Sequence, residues 1–291
     1  MSVCLTQKSE RLSLLFFTNV TDIPNNIDGI NLVTFFQEHN IEVIHLELTN
    51  KTPKNWYKAW RNQFYVFDVL NYCQRLDGNI LILDSDCFIR KSLTPIFDAI
   101  EKNQIITYYC GHGVEEEING ISIAQMRQLF EEYLSEKGDS LVYCGGEFIG
   151  INSQIIPQVL ELYHDLWNKN YLKYTANQPK LNEEAHFLSL IYYKLGLSNS
   201  IANEYIRRIW TSIHYDNVLT SDDSLIIWHL PAEKKYGFQK FFKWFSRKER
   251  TADEIITYLN KYFFIHKKPI YRKMRKILYK AKDTLCRSGK N

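Results

Sequence analysis

No stretch of this 291-residue chain stays apolar for as long as a bilayer-spanning helix requires, which is about 20 residues. Paired cysteines are also missing. Cys4, Cys73, Cys87, Cys110, Cys144 and Cys286 lie scattered, with no C-x-x-C among them, and read as reduced thiols in a reducing compartment. An export signal is lacking as well. Lys8, Glu10 and Arg11 lead into an apolar run at residues 12–17, too short and too interrupted for that purpose. The expectation is a cytoplasmic location. There is no internal repeat and no low-complexity linker.

What is present bounds the class. Hydrophobic residues make up 45% of the chain and aromatic residues 14%, enough to bury a sizeable core and to exclude a disordered chain. The net charge of +3 hides an asymmetry. Residues 231–291 carry 18 Lys and Arg against 5 Asp and Glu, a net of +13, and the rest carries a net of −10. An acidic body with a basic tail predicts attraction of the tail to an anionic surface.

Strand-like and helix-like segments alternate along the body. "LSLLFFTN" (12–19) and "IEVIHLEL" (41–48) read as strands, with a helix at 30–40 between them. A long amphipathic helix is expected over 55–76, capped by Asn55, followed by a strand from Ile80. Later segments repeat the style, with a glycine-broken strand at 141–153, a helix at 181–197 and a last strand at 224–231. This order predicts an α/β fold with a mostly parallel, Rossmann-like sheet flanked by helices. The texture changes after Pro231, so residues 1–235 are expected to form one domain and 236–291 a basic helical extension.

The chemistry concentrates in "NILILDSDCFI", where Asp84 and Asp86 interrupt an apolar run. If the run is one strand, residues i and i+2 share a face and the two carboxylates converge. Clustered acids repel and resist dehydration unless a cation joins them. Carboxylate oxygens suit a hard divalent ion such as Mg²⁺ or Mn²⁺. The alternative is a surface turn with two solvated acids, which the apolar residues on both sides disfavour.

This segment resembles the D-x-D motif of nucleotide-sugar-dependent glycosyltransferases with the GT-A fold. The resemblance implies Asp86 as metal ligand and Asp84 as metal and ribose or sugar contact, with Ser85 beside the donor. "YCGGEFIGIN" is similar to the family's glycine-containing strand near donor sugar and acceptor. There Gly145 and Gly146 would let backbone pass close to a ligand, with Glu147 at the opening. "LNEEAHFLSL" resembles the acidic segment that opens a helix on the catalytic side. It implies a catalytic Glu184 with Glu183 in reserve, and Asn182 beside the sugar or capping the helix. His186 reads as a core histidine. His229 after an apolar strand resembles a third metal ligand. Lys234, Lys235 and Lys240 are the candidate cations for the diphosphate, with Lys235 and Lys240 placed as donor-binding. Thr18, Asn19 and Arg61 complete the donor set.

The implied activity is a metal-dependent, hexosyltransferase-like enzyme using Mn²⁺ or Mg²⁺. It would move a sugar from a nucleotide-sugar, UDP-linked in the favoured case, to a glycan or lipid-linked acceptor in bacterial surface polysaccharide assembly. The tail fits this setting. "FQKFFKWF" and "KKPIYRKMRKILYKAK" mix aromatic and basic residues, the composition of a peripheral anchor on the inner, anionic face of the cell membrane. Nucleic acid is the competing anion, but no nucleic-acid motif is present and the body is acidic. A sugar-phosphate nucleotidyltransferase needs a glycine-rich loop after the first strand, and "FFTNVTDIPNN" has no glycine. A non-catalytic membrane or carbohydrate-binding protein leaves Asp84 and Asp86 without a purpose.

Overall fold

The structure, a computed structural model, describes residues 12–58, 61–234, 237–245, 254–255, 257–259, 263, 265 and 268–288. The chain opens with β1 (Leu14–Thr18), the short hairpin β2 (Asn26–Ile27) and β3 (Ile30–Asn31), α1 (Leu32–Glu38) and β4 (Ile41–His45). Asn31 starts α1 because its side chain accepts the Thr34 N–H, satisfying one of the donors a helix start leaves free. The crossover makes β1 and β4 parallel, from Leu14 opposite Ile41 to Thr18 opposite His45.

The helix expected over 55–76 is shorter, α2 (Tyr65–Cys73). The chain leaves the helical path before it because Trp56 turns inward. Its ring stacks on Trp167 at 5.4 Å, and its indole N–H donates to Asn182 O at 3.1 Å. Asn55 caps nothing and accepts from Tyr174 OH at 2.7 Å. Next come β5 (Asn79–Leu83), β6 (Cys87–Ile89), α3 (Thr94–Asn103), β7 (Ile105–Ile106), β8 (Glu117–Ile118), β9 (Ile121–Ser122) and α4 (Ile123–Leu134). Then follow β10 (Phe148–Asn152), α5 (Ile156–Thr175), α6 (Glu184–Lys194), β11 (Ile206–Arg208), β12 (Ile227–His229), α7 (Gly237–Phe245) and α8 (Pro269–Ser288).

The α/β class is as expected, while the strand directions are mixed. β11 and β12 run parallel, but β10 runs antiparallel to β5 and β7, and β12 antiparallel to β6. The order of elements does not encode direction when a long irregular segment, such as the one between α4 and β10, precedes a strand. β10 is buried on both faces. Ile149 and Ile151 join the core with α4, α5 and α6, while Phe148 joins the one with α3, as side-chain alternation requires.

This topology positions the site. β5 pairs in the β10 sheet and β6 pairs in the β12 sheet. Asp84, Ser85 and Asp86 are the corner where the chain passes from one sheet to the other.

The described residues of the basic tail pack on the body. Phe241, Tyr258, Leu259 and Phe263 share a core cluster with Phe88, Trp228 and Leu230, and Phe238, Trp244 and Phe245 pack against it. The aromatic residues of "FQKFFKWF", expected at a lipid interface, are thus used in packing. α8 has its polarity inverted relative to a solvated cationic helix. Arg272, Arg275 and Lys276 are buried, and Ile270, Tyr271, Met274, Ile277 and Leu278 are exposed. The buried cations find acids: Arg272 grips Asp216 with 2.5 Å contacts, and Arg275 and Lys276 reach Glu233 at 2.6 and 2.8 Å. Among the described residues, no helix is long and apolar enough to cross a membrane.

Candidate metal and catalytic site

The two acids do not sit in a strand. The Cys87 N–H donates to Asp84 O at 3.0 Å, which closes a turn over Asp84, Ser85 and Asp86. Strand alternation therefore does not bring the carboxylates together. The turn does, and two further bonds anchor it. The Asp84 N–H donates to Glu147 O at 3.1 Å, and the Leu230 N–H to Asp86 O at 3.0 Å. Ser85 stands exposed at the tip.

His229, the last residue of β12, faces this turn. Its Nε2 lies 3.4 Å from Asp86 Oδ2 and 3.9 Å from Asp84 Oδ2. The three potential ligand atoms all fall within 4.8 Å of one another, a span one divalent ion can bridge. Lys234 Nζ lies 3.2 Å from Asp86 Oδ2. Asp86 is 1% exposed, yet its Oδ1 is buried with no hydrogen-bond partner. A partnerless buried carboxylate oxygen is costly unless a cation meets it. The carboxylate and imidazole set suits Mg²⁺ or Mn²⁺, with imidazole shifting the preference toward Mn²⁺.

The electrostatics follow from the packing. Burial opposes charging of His229, but its bonds to Asp86 and Glu147 prevail and raise it to about 9. Burial likewise opposes ionisation of Asp86, and His229 and Lys234 outweigh it and hold Asp86 below the usual carboxylate range. Burial and then the neighbouring Asp86 push Asp84 upward. Its side chain remains 52% exposed, so solvent tempers that push. Glu147 is brought down to about 2 because His229 and Arg208 overcome the cost of its burial.

Glu147, expected at the opening of the site, is buried and fully engaged. Arg208 grips it with two bonds of 2.7 Å, and His229 Nδ1 lies 3.1 Å from its Oε1. The glycines before it serve these acids. A Cβ on Gly145 would stand 2.2 Å from Glu147 Oε2, and one on Gly146 would stand 2.7 Å from Glu184 Oε1. The space expected for a ligand at these positions is filled by two carboxylates.

Glu183 and Glu184 open α6 with different surroundings. Glu183 is buried, accepting from Asn119 Nδ2 at 2.5 Å and Tyr143 OH at 2.8 Å. Burial still pushes its carboxyl upward. Glu184 lies against Gly146. Burial first, then Glu183, raise it to about 8, and Asp84 adds to the rise. A carboxyl tuned to that range holds or releases a proton near neutral pH.

Asn182 does not cap α6 with its side chain. Its amide donates to Asn119 O at 2.9 Å and its Oδ1 accepts from Lys180 at 2.7 Å. His186 serves this helix start instead, its Nδ1 accepting the Asn182 N–H at 3.2 Å. His186 is fully buried, and burial drives it down to about 3, a neutral core histidine.

Thr18 and Asn19 lie at the end of β1 and just beyond it, half-buried, with Thr18 Oγ1 accepting the Val20 N–H at 3.1 Å. Arg61 is exposed in the loop before α2, off the helix where it was expected. Lys235 falls outside the described residues. Lys240 turns to the Tyr279 ring, 4.0 Å from its centroid, so the cation beside the acids is Lys234. Arg208, which holds Glu147, and Tyr143 and Asn119, which hold Glu183, are contacts that the sequence reading missed. An arginine inside the apolar stretch "YIRRIW" is the one signal that asks for a buried acid.

No protein-family model matches the chain, and no curated protein matches it. Among solved structures similar to it is an active-site mutant of LgtC. That chain is 14% identical, with 76% of this chain and 75% of that one covered at a TM-score of 0.40. Another is the galactosyltransferase LgtC in complex with donor and acceptor sugar analogs. It is 15% identical, with 77% and 76% covered at a TM-score of 0.35. At TM-scores below 0.5 these likenesses carry no argument, and the functional reading rests on the site.

Proposed function

We propose that this chain is a metal-dependent glycosyltransferase that moves a sugar from a nucleoside-diphosphate sugar to a glycan or lipid-linked acceptor. The observation that carries the reading is Asp86, whose buried Oδ1 lacks a partner beside Asp84 and His229. Mn²⁺ or Mg²⁺ held by these three residues would neutralise the donor diphosphate as it leaves. The chain's own groups supply the rest. Lys234, with its ammonium exposed beside Asp86, offers a second positive charge to the phosphates, with Lys235 its neighbour in sequence. Asp84 and Ser85 face the ribose or sugar, and Thr18 and Asn19 the base. Glu184 acts at the sugar carbon, and Glu183, tied to Asn119 and Tyr143, holds the start of α6.

A UDP-sugar donor and bacterial surface polysaccharide assembly are the setting implied by the D-x-D segment. Residues 1–235 carry the chemistry and 236–291 the attachment. The exposed stripe of Ile270, Tyr271, Met274, Ile277 and Leu278 on α8 supports peripheral binding at the inner membrane face, with acyl chains against the stripe and anionic headgroups at nearby lysines.

The test is metal-dependent hydrolysis of UDP-sugars, with Asp86→Ala as the control. Metal-stimulated release of UDP by the wild type alone is expected. Equal background rates in both proteins would remove the transferase reading.

A further inference from the structure

Glu147 and Arg208 have no part in the donor site as described, yet they form an ion pair beside it in which Glu147 is buried and Arg208 half-buried. A buried carboxylate needs a reason. Well-packed apolar residues often stabilise a core as well as a buried charge with its partner does. The reason lies in what the pair touches. β11 and β12 are parallel neighbours in which Arg208 stands opposite His229. Glu147 bridges them: both its oxygens accept from Arg208 at 2.7 Å, and Oε1 is 3.1 Å from His229 Nδ1. Arg208 is itself fixed at its backbone, where its N–H donates to Tyr108 OH at 2.9 Å and its carbonyl accepts from Asn217 at 3.1 Å. Glycine at 145 is a condition of the arrangement, since a Cβ there would overlap Glu147 Oε2.

An imidazole presents one nitrogen to a ligand according to what its other nitrogen bonds. With Nδ1 held against Glu147, Nε2 is aimed at Asp84 and Asp86. We infer that Glu147 is the positioning residue of this site: it sets the ring orientation of His229 and holds the proton on Nδ1, while Arg208 and Gly145 keep Glu147 in place. The metal side of this inference rests on the proposed function, but the orientation of the ring does not.

Two readouts separate these. The first is ¹⁵N NMR of the His229 ring in metal-free protein, comparing wild type with Glu147→Gln, Glu147→Ala and Gly145→Ala. The second is Mn²⁺ affinity from the EPR signal of free Mn²⁺ on the same proteins, with folding checked by circular dichroism. The expected result is loss of the wild-type Nδ1–H resonance in Glu147→Ala and Gly145→Ala, with Mn²⁺ affinity lowered about 10- to 100-fold. Glu147→Gln, which keeps an acceptor oxygen, should fall between them and the wild type. Gly145→Ala leaves Glu147 in the sequence, and so reports on the clamp if Glu147→Ala fails to fold. Folded variants with an unchanged His229 ring and Mn²⁺ affinity within twofold of wild type would overturn the inference. A wild type that binds no Mn²⁺ but loses its ring signal in the variants would sink the metal reading and leave the clamp standing.

Discussion

Asp86 and His229 meet at one end of an antiparallel strand pair, with Oδ2 and Nε2 3.4 Å apart. Asp86 ends the turn that leads into β6, His229 ends β12, and the antiparallel pairing of these strands makes the contact a matter of register: His229 lies opposite Cys87. The site is thus fixed by backbone pairing.

Replacing Asp86 should therefore remove metal binding without unfolding the protein. Asp86→Asn is expected to weaken Mn²⁺ binding by more than about tenfold. The Asn amide cannot neutralise a dication, and titration calorimetry with MnCl₂ measures the change. Affinity equal to wild type would place the metal elsewhere.

Glu184 predicts a pH dependence of stability. Burial raises its folded-state value to about 8, above the ordinary glutamate value of about 4.3. Between those values the folded protein holds a proton that the unfolded chain has released. Its contribution is complete below the lower value and is lost as pH rises toward about 8. Wild-type stability measured against Glu184→Gln from pH 4 to pH 9 should fall across that window, and a flat difference contradicts it.

The same residue predicts a kinetic loss. Glu184→Gln should lower kcat by about 10²- to 10⁴-fold, as for a group that moves a proton or meets charge in the transition state. Mn²⁺ affinity should be retained, because Glu184 is outside the ligand set. Gly146→Ala should partly reproduce the effect, since its Cβ would stand 2.7 Å from Glu184 Oε1. Steady-state kinetics alongside Mn²⁺ titration distinguish this from a metal defect.

The C-terminal helix predicts a stability loss. Glu233 is fully buried against Arg275 and Lys276, and Thr211 OH donates to it at 2.5 Å. Glu233→Ala leaves two cations facing a cavity and should cost about 3–5 kcal/mol. Urea denaturation measures it, and a change below about 1 kcal/mol would mean that α8 is not held through this contact.

Much of the fold was legible because apolar periodicity reports burial. β1, β4 and β5 fall where apolar runs place them, and α1 and α6 where helical spacing does. Strand direction was not legible, since β10 is as apolar antiparallel as it would be parallel. The D-x-D segment picked out two acids that do lie together beside His229, through an incorrect geometry. Residues two apart converge here because the Cys87 N–H closes a turn on Asp84 O. Glu147 could not be read from its neighbours. Its partners, Arg208 and His229, are 61 and 82 residues away in sequence. The orientation of α8 was hidden for the same reason: a basic helix face reads as solvated until Asp216 and Glu233 are found beneath it.

The most direct test is thermal unfolding with UDP, with Mn²⁺, and with both. Binding raises stability with the logarithm of ligand over Kd, by about 2.7 kcal/mol at 100 times Kd. A rise in Tm that requires nucleotide and metal together, and disappears in Asp86→Ala, is the predicted result. A rise with UDP that is the same with and without Mn²⁺, or that survives in Asp86→Ala, would contradict the account.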